Sequence, residues 1–77
     1  MELGKQIYEL RKKANLSQEQ LAEKVGVSRQ TISKWELGET APDIKQAQVL
    51  SQVFSVSLDE LTVNDTKEVI YKKVSNT

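Results

Sequence analysis

Residues 18–37 read QEQLAEKVGVSRQTISKWEL. Leu21, Ala22 and Val25 set apolar side chains at helical spacing before Gly26, and Val27, Ile32 and Trp35 set them again after it. Two short helices joined by a tight turn satisfy that spacing. They must cross closely, which needs a small residue such as Ala22 on the first. Gly26 stands where the turn needs left-handed backbone. Ser17 and Ser28 precede the two apolar sets as N-caps, and Ser17 with Gln20 three residues on forms a capping box.

A helix-turn-helix is the motif this pattern predicts. Its second helix buries one face and leaves the other able to enter a DNA groove. The outward positions are Ser28, Arg29, Gln30, Thr31, Ser33 and Lys34, and none of them is acidic. These side chains donate and accept in the ways that read base edges and grip phosphates. Arginine matches guanine O6 and N7 with two bonds, and glutamine matches adenine N6 and N7. Arg29 and Gln30 open the second helix as the long-armed candidates, and which of them reads a base is left open. Ser33 is small enough to let the helix approach the bases, and its methylene can touch a thymine methyl. Lys34 is expected at a base edge or a phosphate, and Thr31 and Ser28 at phosphates. Ser28 is foremost a cap, worth about 1 kcal/mol. Trp35 shares the phase of Ile32 and is read as core rather than as an aromatic platform for a base. The bland alternative for Arg29 and Gln30 is a polar pair on an ordinary solvated helix.

Outward from the motif, Leu3, Ile7 and Leu10 mark a first helix over about residues 3–14, with Asn15 as its stop and Leu16 turning inward. Gly38 ends the helix that holds Trp35, and residues 39–42 form a loop. Asp43 caps a fourth helix with Ile44, Ala47, Leu50 and Phe54 on its inner stripe, and Ser57 caps a short fifth containing Leu58 and Leu61. The expected fold is all-α, a compact five-helix DNA-binding domain over residues 1–62 followed by a short tail, 63–77. In the tail, residues 65–68 are suited to cap a helix through Lys73, whereas Val69, Ile70 and Tyr71 favour strand. The helical reading is preferred, with a disordered end as the alternative.

The chain has 77 residues, eleven basic and eleven acidic, and neither cysteine nor histidine. One small domain is expected. Without thiols or imidazoles there is no disulfide framework and none of the commonest transition-metal ligands or general bases. The carboxylates lack calcium-loop spacing, and glycine is too sparse for a phosphate-cradling loop. An enzyme, a metal site, a cofactor or a small-molecule ligand is therefore not expected. Apolar runs reach only two or three residues, so no membrane span or signal peptide is expected, and a cytoplasmic, nucleoid-associated protein follows. Zero net charge counts mildly against nucleic acid. Yet Lys24, Arg29 and Lys34 lie in a stretch free of acids. One positive face on a neutral body implies weak binding per protomer, and so a dimer.

Leu10-Arg11, the run 16–22, the run 27–36, Gly38, Pro42 and the run 56–61 together resemble the lambda-repressor/Cro type, also called the xenobiotic-response-element-like regulators. The resemblance covers residues 3–61 without gaps and leaves the tail aside. It implies operator binding as a homodimer and transcriptional control in bacteria or their phages. It implies that Gln18, at the start of the second helix, abuts a DNA phosphate; the plain alternative is a solvated first-turn residue. It implies also that Arg11 pairs with Glu36, joining the first helix to the third. Three positions depart from the family. Leu37 and Glu39 replace basic residues, which weakens that loop as a phosphate clamp. Ser55 stands where a glycine often closes the fourth helix.

The function expected is a sequence-specific regulator, a repressor in preference to an activator, that binds a double-stranded inverted-repeat operator through the major groove. A phage repressor, a chromosomal regulator and a restriction–modification controller fit equally. A protein-interaction module or antitoxin of the same fold is the alternative, favoured by net neutrality and Glu39. The dimer surface is expected around Val49, Val53, Val56, Leu58 and Leu61, together with the tail. Lys12 and Lys13 are read as solvated.

Overall fold

The computed structural model describes residues 2–61. Five helices follow one another: α1 (Glu2–Lys13), α2 (Gln18–Val25), α3 (Arg29–Leu37), α4 (Ile44–Phe54) and α5 (Leu58–Leu61). The readings of residues 62–77 lie outside the described residues.

The helix starts follow from local chemistry. Ser17 Oγ accepts from the Gln20 backbone N–H while Gln20 Oε1 accepts from the Ser17 N–H, at 3.0 and 2.8 Å. Asp43 and Gln46 form the same reciprocal pair ahead of α4, and Ser57 and Glu60 form it ahead of α5. Each pair satisfies two N–H groups that a helix start leaves without partners.

Four helix ends close alike. Asn15, Gly26, Gly38 and Ser55 all adopt positive φ, between 57° and 86°. The next residue's N–H then bonds back five residues: Leu16 to Arg11, Val27 to Ala22, Glu39 to Lys34 and Val56 to Ser51. This is the Schellman closure, which turns the chain and caps the last carbonyls. Leu16, Val27 and Val56 drop onto the core directly after it. Ser55 thus takes up the geometry that glycine commonly supplies.

The core joins Ile7 of α1, Leu21 and Ala22 of α2, Ile32 and Trp35 of α3, Ala47 and Leu50 of α4, and Leu61 of α5. Leu3, Leu10, Phe54 and Leu58 pack around it, half-buried. Two expectations are corrected. Ile44 has the phase of Ala47 but is 46% exposed; it is the first residue of α4, and burial on this helix begins one turn later, at Ala47. Leu61 is fully enclosed in its own domain's core, which removes it from any surface offered to a second subunit.

The crossing of α1 over α3 is closer than the sequence suggests. Gly4 is buried. A Cβ there would overlap the Trp35 carbonyl oxygen and come within 2.9 Å of the Glu36 carbonyl oxygen. The two backbones approach so nearly that only hydrogen fits. Among the described residues, no helix is long and apolar enough to cross a membrane.

Candidate nucleic-acid interface

Ser28 fixes where α3 begins. Its Oγ accepts from the Thr31 N–H at 3.2 Å and lies 3.0 Å from Thr31 Oγ1. Both hydroxyls are therefore engaged at the helix start, with Ser28 exposed and Thr31 half-buried. With Ile32 and Trp35 turned into the core, Arg29, Gln30 and Lys34 are left exposed, and Ser33 is half-buried among them. Gln30, Ser33 and Lys34 share one stripe at three- and four-residue spacing, and Leu37, 68% exposed, extends it. The first turn of α3 holds no acid. Of the outward set anticipated from the sequence, Gln30, Ser33 and Lys34 share that stripe, Arg29 is exposed at the helix start, and Ser28 and Thr31 are joined to each other there.

Gln18 is more than a solvated first-turn residue. Half-buried, it donates from Nε2 to Glu36 Oε1 at 3.0 Å. Glu36 is the hub of a network. Arg11 donates to it from Nε at 2.6 Å and Nη2 at 3.2 Å, and turns Nη1 to the Leu16 carbonyl at 2.8 Å. The Arg11 and Glu36 side chains are only 9% and 6% exposed. This two-pronged pair ties α1, α2 and the end of α3 together, and it sets the start of α2 beside the recognition helix. Among the described residues every buried polar side-chain atom has a partner, as a paired interior charge requires. The Arg11–Glu36 pairing was legible through the resemblance; the attachment of Gln18 to it had no signal in the sequence.

A cleft of about 630 Å³ opens between the end of α1 and the start of α2, walled by Lys12, Ser17, Gln18, Glu19, Gln20 and Arg29 among others. It joins the α2 start, where unbonded N–H groups and the helix dipole favour an anion, to the first residue of the recognition helix. Lys12, expected to be merely solvated, lines this cleft, whereas Lys13 does not. Among the described residues no group of three or more acidic side chains is arranged to hold a metal ion.

The sequence of residues 7–61 matches the Helix-turn-helix family. A transcriptional activator of Enterococcus faecalis, BcrR, is 48% identical over 79% of this chain, and the match spans 30% of BcrR. An uncharacterised helix-turn-helix-type transcriptional regulator of Archaeoglobus fulgidus is 37% identical over 87% of this chain and 94% of its own length. Among solved structures, the P22 c2 repressor, crystallised with a synthetic operator, superposes with a TM-score of 0.73 at 39% identity, covering 77% of this chain and 89% of that one. The curated P22 protein is matched over 31% of its length, so the chain spans under a third of BcrR and of that repressor. With the five helices of its described residues, this family match and this structural likeness, the chain belongs to the lambda-repressor/Cro type of the helix-turn-helix family.

Proposed function

We propose that the protein is a sequence-specific transcriptional regulator, a repressor, that binds an inverted-repeat operator in double-stranded DNA as a homodimer. The observation that carries this is the outer face of α3, where Arg29, Gln30 and Lys34 stand in solvent with no acid among them while Ile32 and Trp35 anchor the helix from behind. In the major groove, Arg29 and Gln30 supply two-pronged base contacts, each worth about 1–3 kcal/mol of discrimination. Ser33 permits close approach, and Lys34 reaches a base edge or a phosphate. Gln18, Ser28 and Thr31 grip phosphates. Gln18 does so with the amide hydrogen not given to Glu36, so one side chain links the buried network to the DNA backbone.

The proposed twofold surface lies on the exposed parts of Val49, Val53, Val56 and Leu58, half-buried on α4 and α5, and the tail is its second element. A dimer closed there sets two α3 helices about 34–36 Å apart, at successive major grooves. Repression follows from occupancy, since a dimer seated over a promoter excludes polymerase. The names of the relatives include both signs, an activator and a repressor. In a cell such a protein partitions onto the nucleoid.

A second reading, a protein-interaction module, draws on the zero net charge, on the exposed acidic Glu39, which no phosphate favours, and on the exposed apolar Leu37 and Ile44. Selection of sites from random duplex DNA at near-physiological salt separates the two, run with the wild-type chain and an Arg29→Ala/Gln30→Ala double variant. An enriched inverted repeat that the variant fails to enrich supports the regulator and reports half-site spacing. No enrichment by a folded wild-type protein favours the interaction module.

A further inference from the structure

We propose that Lys12 of α1 is a further DNA-backbone contact, gripping a phosphate at the edge of the groove that α3 reads. The inference rests on the DNA-binding reading and adds to it a residue outside the helix-turn-helix. Lys12 and Arg29 line the same cleft, and Arg29 is the first residue of α3. A duplex that receives the outer face of α3 brings a flanking phosphate to the cleft beside Arg29, which Lys12 also lines.

The neighbouring cation on α1 is already committed. Arg11 is buried and spends its guanidinium on Glu36 and the Leu16 carbonyl. Lys12 is exposed, and among the described residues it makes no ion pair; its ammonium lies 5.9 Å from the centre of the Tyr8 ring. A cation lying along an aromatic face keeps its charge and its donors for a ligand. Lys13 follows at once in sequence but is turned about 100° away by the helix and does not line the cleft. Glu19 stands on the same cleft as the opposing charge, so the contact serves one phosphate and not a strongly positive basin. On a chain of zero net charge, a single such cation is a large part of the electrostatic attraction to DNA.

The test compares full-length wild type, Lys12→Gln and Lys13→Gln by the salt dependence of binding to the selected operator and to a random-sequence duplex. Both lysines are exposed, so melting curves are expected to coincide. The expected result is that Lys12→Gln flattens the log–log salt slope by roughly 0.9 for each bound protomer and weakens binding about fivefold per protomer at 0.15 M salt, equally on both duplexes. Lys13→Gln keeps the wild-type slope. Equal slopes for all three proteins, or equal losses in both variants, overturn the Lys12 contact while the regulator reading stands. If wild type binds neither duplex, the DNA-binding reading fails and takes this inference with it.

Discussion

The inner and outer faces of α3 differ in what they tolerate. The inner face buries Ile32 and Trp35 in the core and brings its backbone against Gly4; the outer face holds Arg29, Gln30 and Lys34 in solvent. One nine-residue helix therefore carries much of the fold on one side and the chemistry of recognition on the other. Lesions on the inner side should be read in melting, and lesions on the outer side in binding, because a solvated side chain adds little to stability whatever it does for a ligand. Glu36 and Ser28 sit on the boundary, so they test whether the division is real.

The largest effect is expected for Glu36→Ala. It leaves the buried Arg11 guanidinium without its counter-charge, at a cost of about 3–5 kcal/mol, and Gln18 loses its acceptor. Thermal melting should fall by at least ~10 °C, with DNA binding reduced in proportion to the unfolded fraction. Unchanged melting with lost binding would move Glu36 to the outer face and break the comparison. Next comes Gly4→Ala. Alanine favours a helix by about 1 kcal/mol over glycine, yet here its methyl meets two carbonyl oxygens of α3. A net loss of about 1–3 kcal/mol in chemical denaturation is expected, and a stabilised variant would mean that α1 can back away at no penalty.

Ser28 sharpens the comparison in two steps. Ser28→Ala should lose about 1 kcal/mol of stability with the cap. Ser28→Asp should keep the cap, and so the melting point, while weakening DNA binding through a carboxylate near phosphates. Binding by Ser28→Asp at wild-type strength would place this residue away from the DNA backbone. The smallest effect belongs to a region remote from both faces. Ser55 has φ 57°, and Ser55→Gly should stabilise the domain by about 0.5–1 kcal/mol by relieving the left-handed backbone. DNA affinity should not move. A destabilised Ser55→Gly in a denaturation series would show that the serine side chain contributes more than its backbone conformation costs.

Much of this domain was legible because its signals are local. N-caps, the residues that close helices, and the 3.6-residue apolar period each act within a turn or two of chain, so Ser17, Gly26, Ser28, Gly38 and Asp43 could be placed from their neighbours alone. Even Ser55, a departure from the usual glycine, closes its helix because the six-to-one bond and the burial of Val56 outweigh the strain at one residue. The outer face of α3 was readable for the same reason, since helical phase separates it from Ile32 and Trp35.

What the sequence by itself determined is the set of helices, their ends, and which face of the third one is polar. Only the tertiary structure decided that Gly4 is a point of backbone contact, that Gln18 is held by Glu36, that Leu61 belongs to its own core, and that Lys12 and not Lys13 shares a cleft with Arg29. These facts depend on residues such as Lys12 and Arg29, Gln18 and Glu36, or Gly4 and Glu36, which are far apart in sequence, and on the crossing of packed helices. No helical period carries that information, because it is set by how the packed faces meet and not by either face alone.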